Sequence, residues 1–144
     1  MSTPFQVREI TALPEMLQQF PLIQVLNPNM DLARYELLLH QMLPLRYRMV
    51  GVFDKSICVG LSGFWLGTKL YSGKYLEVDN FVVDERYRSK GIGKLLLDWL
   101  TQEASQNHCE TMMLDAYVGN NAAHKFYFRE GFVIKGFHFL KRLK

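Results

Sequence analysis

The run Arg88-Ser89-Lys90-Gly91-Ile92-Gly93 sits between an apolar, strand-like stretch at residues 75–83 and a stretch with Leu95, Leu96, Trp99, Leu100 and Ala104 at helical spacing. A chain with that junction must pass from strand to helix through a tight loop, which the glycines permit by close backbone approach and unusual φ angles. The first turn of a helix leaves N–H groups without intrahelical partners. Those donors, with the positive end of the helix dipole, suit a pyrophosphate. Arg88, Lys90 and Lys94 add cationic charge around the same loop. The junction therefore predicts a mixed fold with an anion-holding turn, and leaves open whose phosphate is held.

The other segments are expected to fold with it as one domain over 1–144. A chain of 144 residues has room for one core, and no linker, repeat or low-complexity stretch divides it. Residues 5–10 roughly alternate and read as a first strand. Pro14 starts a helix through Met16, Leu17 and Phe20, and Asn27-Pro28-Asn29 is a turn. Asp31 caps a second helix with Leu32, Tyr35, Leu38, Leu39 and Met42 on its apolar face, ended by Pro44. Strand-like stretches at 47–53, 57–70 and 75–83 follow one another through short turns, the pattern of an antiparallel meander. Beyond the helix expected over 90–106 come a strand over 111–118, a helix over 122–129 closed by Gly131, and two last strand segments at 132–134 and 136–143.

Net charge is +3, from 17 basic and 14 acidic side chains, which is too mild to argue for a nucleic-acid partner. No apolar run approaches a membrane-spanning length, and the first twelve residues do not read as a signal peptide, so no membrane partner is expected. Cys58 and Cys109 lie in no CxxC or Cys/His spacing. We read them as reduced thiols of a cytosolic protein, with no metal site.

Three features fall in a fixed order: Leu76-Glu77-Val78-Asp79, then the loop in the pattern Arg/Gln-x-x-Gly-x-Gly/Ala, then Asn120-Asn121-Ala122-Ala123-His124-Lys125-Phe126-Tyr127-Phe128-Arg129-Glu130-Gly131-Phe132. This arrangement closely resembles the GNAT family of N-acetyltransferases. Their Asn-x-x-Ala-x-x-x-Tyr…Gly-Phe pattern matches Asn120, Ala123, Tyr127, Gly131 and Phe132. The loop alone is weak evidence. A P-loop would need GxxxxGK[ST], and a dinucleotide fingerprint would need a third glycine in a βαβ unit; both are missing. The resemblance is strong over residues 75–132.

The resemblance implies an α/β domain of the α+β type, the GNAT fold, with a central mixed, mostly antiparallel sheet of about six or seven strands and about four flanking helices. It implies acetyl-CoA as co-substrate. Phe81, Val82 and Val83 would present backbone groups to the pantetheine arm and acetyl carbonyl. Arg88 and the backbone of Ser89, Lys90, Gly91, Ile92, Gly93 and Lys94 would cradle the pyrophosphate. Lys90 and Lys94 could equally be solvated surface lysines. Asn120 would touch the cofactor, and Tyr127 would lie beside its sulfur.

Acetyl transfer to an amine needs a proton acceptor, a polarised thioester carbonyl and a proton for the departing thiolate. Tyr127 is the candidate donor, against the alternative of a core tyrosine between Phe126 and Phe128. Glu77 is the candidate base. It lies near the position where histone-type members of the family carry a catalytic glutamate. Period-two geometry puts Tyr75, Glu77, Asp79 and Phe81 on one face of the strand, and Leu76, Val78, Asn80 and Val82 on the other. Asp79 could share the work or bind a cationic substrate; either carboxylate could instead be a surface group. Trp65 reads as a core or groove aromatic, and His138 as a residue that could face the acceptor pocket.

A small-molecule amine is the expected acceptor, with a protein lysine or N-terminus as the alternative. Residues 123–132 also look similar to aminoalkylphosphonate N-acetyltransferases, which would call on Arg46, Arg48 or Lys69 for the phosphonate. A non-catalytic acyl-CoA sensor is the non-enzyme alternative, and a homodimer stays open.

Overall fold

Short turns leave consecutive strands to pair with each other, and the computed structural model, which describes residues 3–144, has the resulting meander. β1 (Phe5–Ile10), β2 (Arg48–Asp54), β3 (Ile57–Lys69), β4 (Gly73–Val83) and β5 (Thr111–Leu114) form one sheet in that spatial order. The first three pairings are antiparallel. β5 runs parallel to β4, because the helix α4 (Ile92–Gln106) crosses over between them. α1 (Leu13–Gln18), α2 (Phe20–Leu26) and α3 (Leu32–Met42) precede β2, and α5 (Asn121–Arg129) follows β5.

The sheet separates two cores. On one face Met16, Leu22, Ile23, Tyr35 and Leu39 of α1–α3 pack with Tyr47, Met49, Phe53, Leu61 and Val82. On the other, Ile92, Leu96, Leu97 and Leu100 of α4 pack with Val50, Val52, Val59, Phe64, Leu76 and Val78. Local signals explain the helices. Asp31 accepts a hydrogen bond from the Arg34 amide at 2.8 Å and caps α3, and Tyr35 Oη donates to the Met16 carbonyl at 2.9 Å, tying α3 to α1. The expected single helix through Phe20 is two, broken at Gln19, because Pro21 opens the first turn of α2. Among the described residues no helix is long and apolar enough to cross a membrane.

Two expectations need correction. The sheet has five strands rather than six or seven, although the fold class is the expected α+β arrangement. β5 stops at Leu114, whose partner Val78 is the last residue of β4 that β5 pairs with. Residues 132–134 and 136–143 form no strand. Apart from Phe132, which packs against the α4 core, their apolar side chains stay exposed: Phe137 is 80% and Phe139 92% exposed. Alternation creates a strand only where a partner takes the edge and a core takes one face.

The second correction concerns β4. Leu61 pairs with Val82 and Gly63 with Asp79, so Ser62 alone stands opposite Asn80 and Phe81. This is a β-bulge, with Asn80 at φ 54°. It resets the alternation: Phe81 packs on the α4 side near Leu76 and Val78, while Val82 joins the α1–α3 core.

Candidate active site

β4 outlasts its neighbour. β5 accompanies residues 75–78 only, whereas β3 pairs with β4 as far as Val83. Beyond the bulge, β4 therefore has a backbone edge that β5 does not cover, and the space beside that edge is the wedge. Aromatic rings line it. Phe81 lies 5.9 Å from Phe126 and 6.0 Å from Tyr127, and Tyr127 lies 5.8 Å from Phe132, centroid to centroid. Burial pushes the Tyr127 phenol up to about 12, so it keeps its proton at neutral pH.

The loop after β4 reaches the same aromatics. Asp84 accepts from the Arg86 amide and its side chain pairs with the Arg86 guanidinium at 2.8 Å, fixing the turn at Glu85–Tyr87. Tyr87 Oη donates to Asp54 at 2.9 Å and anchors that turn to β2. Ser89 at φ 62° and Gly91 at φ 81° then swing the backbone into α4. Gly91 is the N-cap, and a Cβ there would meet no atom within 4 Å, so the loop is open above it. A Cβ on Gly93 would lie 3.3 Å from Phe126 and 3.7 Å from Phe81, so the first turn of α4 abuts the ring pair that lines the wedge. Arg88, Ser89 and Lys90 are exposed. Lys90 Nζ sits 5.2 Å above the Tyr87 ring. Lys94 is engaged on its own surface, 3.3 Å from both Asp98 and Glu130. A cavity of about 550 Å³ opens on another flank of Val83 and Arg88, against Gln18, Leu22 and Cys58.

Asn120 accepts from the Ala123 amide at 3.1 Å and caps α5, so its side-chain oxygen serves the helix that carries Tyr127. At the other end of that helix Gly131 takes φ 97°, and the chain returns Phe132 to Tyr127.

The carboxylates lie before the bulge. Glu77 pairs in register with Trp65 on β3 and Met113 on β5. Burial raises its carboxyl above the ordinary glutamate range, and the Asp115 and Asp79 charges push the same way, against Lys69 and His138. His138 Nδ1 is 3.0 Å from Asp115 Oδ2, so the tail reaches this end of the sheet. Asp79 is not a free base: Trp65 Nε1 donates to its Oδ2 at 2.9 Å. Next to it, Asn80 Nδ2 donates to Tyr47 Oη at 3.1 Å. Tyr47, Asn80 and Asp115 were not among the sequence candidates. The visible signal for Asn80 was an Asp-Asn pair inside an apolar strand, a residue type that tolerates positive φ where strands avoid it. Tyr47 and Asp115 carried no local signal.

The model of the acetyltransferase (GNAT) family matches residues 14–132. An uncharacterized N-acetyltransferase of Bacillus subtilis is 24% identical over 137 residues, covering 94% of this chain and 96% of that protein. The aminoalkylphosphonate N-acetyltransferase of Salmonella typhimurium is 33% identical over 86 residues, 59% of this chain and 56% of that protein. Among solved structures, an aminoglycoside N-acetyltransferase in complex with CoA has a TM-score of 0.83 at 14% identity, covering 96% of this chain and 93% of that one.

Proposed function

The chain belongs to the acetyltransferase (GNAT) family and is an N-acetyltransferase; from that premise we propose that it moves the acetyl group of acetyl-CoA to a primary amine of a small molecule, by direct attack in a ternary complex. The observation that carries this reading is the wedge beyond the β4 bulge, where an open strand edge, a protonated half-buried tyrosine and an open glycine turn lie together.

The residues fit the co-substrate. The free amides of the first turn of α4, at Ile92, Gly93 and Lys94, with the turn at Ser89, Lys90 and Gly91, suit the pyrophosphate, and Arg88 adds charge beside them. The uncovered edge at Phe81, Val82 and Val83 suits an extended amide-bearing arm. Acetyl-CoA supplies a thioester; attack by the amine forms the C–N bond, breaks the C–S bond and releases the thiol.

Glu77 accepts the proton that the amine gives up, directly or through a water. Its raised carboxyl is a stronger base than a solvated glutamate. Backbone N–H groups at the free end of β4 stabilise the charge that builds on the carbonyl oxygen. Tyr127 gives its proton to the departing sulfur and regains one from solvent. Asp79 adds negative charge beside Glu77 without itself moving a proton. Direct attack is favoured because neither thiol is activated: burial pushes Cys58 up to about 11 and raises Cys109 as well. An acetyl group trapped on either cysteine during turnover would overturn it.

Glu77, Asp79 and Asp115 favour a cationic acceptor. The relative in Salmonella typhimurium raises a second reading, an aminoalkylphosphonate. Of the cations that reading would use, Arg48 is spent: it pairs with Glu9 at 2.7 Å and Glu103 at 2.8 Å. We also infer a homodimer, because Val133, Ile134, Phe137, Phe139, Leu140 and Leu143 all stand exposed at the C-terminal end. The test of function is thiol release from acetyl-CoA against a panel of polyamines, aminoalkylphosphonates and lysine peptides. We expect turnover with cationic amines above phosphonates. Turnover with peptides alone would assign a protein acceptor, and tight cofactor binding with no turnover would assign a sensor.

A further inference from the structure

The bulge in β4 is held from outside the strand. Asn80 is a non-glycine residue in the left-handed region, a conformation that persists only where its surroundings hold it. Tyr47, 3% exposed, reaches it across β3. A Cβ on Gly63 would collide with the Tyr47 hydroxyl, so glycine at that position is what lets the phenol cross. Tyr47 Oη accepts from Asn80 Nδ2 at 3.1 Å, and Trp65 Nε1 holds the preceding residue, Asp79, at 2.9 Å. The two aromatics pack on each other with centroids 5.1 Å apart. The first bulge residue, Asn80, and the residue just before the bulge, Asp79, are thus held by one aromatic pair on the α1–α3 side.

What the pair holds matters for the wedge. Successive backbone groups of a strand point to opposite edges, so a one-residue slip exchanges every group between them. If β4 lost its bulge, Asn80 would stand opposite Ser62, and the amides now facing the wedge would turn toward β3. We propose that Tyr47 is a positioning residue for acetyl transfer: through Asn80 it fixes the bulge, and so the direction of the backbone groups of residues 80–82 at the acetyl carbonyl. The proposal rests on the reading of the free β4 edge as the thioester site.

The test compares binding of acetyl-CoA and of CoA, which lacks the acetyl carbonyl, by calorimetry, so it needs no acceptor. Tyr47→Phe keeps the ring and removes the hydrogen bond. It should cut the preference for acetyl-CoA over CoA by about 3- to 10-fold, with CoA affinity within about twofold of the parent. Asn80→Gly, which keeps the backbone free to adopt positive φ and removes the side chain, should show the same loss. Adding Tyr47→Phe to Asn80→Gly should change nothing more. With an amine that turns over, kcat/KM for acetyl-CoA should fall by at least the same factor while KM for the amine moves little. Equal losses for the two ligands, a lowered Tm with the preference intact, additive effects in the double variant, or a parent protein with no preference would each overturn the proposal. If no amine is acetylated, the function reading fails while the binding ratio still judges the role of Tyr47. If Tyr47→Phe does not fold, Asn80→Gly alone decides it.

Discussion

The two halves of β4 do different work. From Gly73 to Asp79 the strand is flanked by β3 and, over residues 75–78, by β5 as well. Its backbone is spent on ladders, so what this half offers is side chains, the carboxylates of Glu77 and Asp79. From Asn80 to Val83 it keeps β3 and loses β5. Its apolar side chains are spent on the two cores and Asn80 on Tyr47, so what this half offers is its backbone. The bulge separates them, and the contrast teaches that a single inserted residue can divide one strand into a half that presents side chains and a half that presents backbone, as the proposed acceptor and donor sides require.

The contrast breaks first if the paired half proves inert. Glu77→Gln should lower kcat by about 10²-fold with a cationic amine, the lower end of what a general base contributes. Acetyl-CoA affinity should not change. The acid limb of the rate profile should lie above the ordinary carboxylate range, with rate lost as pH falls through the raised Glu77 value. Removing an opposing cation, as in Lys69→Met, should move that limb to higher pH. Stability gives an independent sign. A carboxyl raised in the folded state binds more protons folded than unfolded, so stability falls as pH rises from the ordinary to the raised value. Glu77→Gln has no such loss, and its Tm at pH 7 should equal or exceed the parent's. A lower Tm alongside the lower rate would make Glu77 a structural residue.

A smaller effect is expected in the unpaired half. Thiolates leave more readily than most groups, so Tyr127→Phe should cost about tenfold in kcat, below the usual range for an acid catalyst. Acetyl-CoA affinity should be nearly intact, since the ring keeps its contacts with Phe81, Phe126 and Phe132. Equal losses in affinity and kcat would make Tyr127 a packing residue.

The loop beyond β4 should respond more weakly still. Gly91→Ala meets no atom, so it tests φ 81° alone. A left-handed alanine costs about 1–2 kcal/mol, enough to weaken acetyl-CoA binding about fivefold if the loop relaxes, with kcat unchanged. Unaltered affinity would show that the turn is not the pyrophosphate cradle.

These regions also differed in how far the sequence revealed them. The loop was legible because its determinants are local: glycines, cations and a helix start within a few residues. The α5 segment was legible for the same reason, although Asn120 turned out to cap the helix through Ala123. The bulge was not. Strict alternation put Phe81 beside Glu77, and only Tyr47, separated from Asn80 by 33 positions, shows why it lies opposite. The tail failed in the other direction: its alternating residues promise strands, but a strand needs a partner that one copy of the chain does not supply.

That missing partner gives the last comparison. The free edge of β4 looks into the wedge proposed for acetyl-CoA, while the outer edge of β5 and the exposed tail look outward. Six exposed apolar residues in the tail, at on the order of 100 Å² each, approach the ~800 Å² that each partner buries in a standard interface. They reach the top of the range that a lone chain usually displays as one patch, roughly 300–600 Å². In the proposed homodimer a second copy would offer this tail an equal apolar surface and the open outer edge of β5. The parent protein should therefore sediment as a dimer at micromolar concentration, with a Tm that rises with concentration. Phe139→Ser should yield a monomer, because this ring is 92% exposed in the single chain and loses nothing there. Since the wedge, the loop and Glu77 lie within one copy, its kcat should stay within about twofold of the parent, the effect of a surface change. A parent that remains monomeric at tens of micromolar would sink the dimer and leave the contrast within β4 untouched.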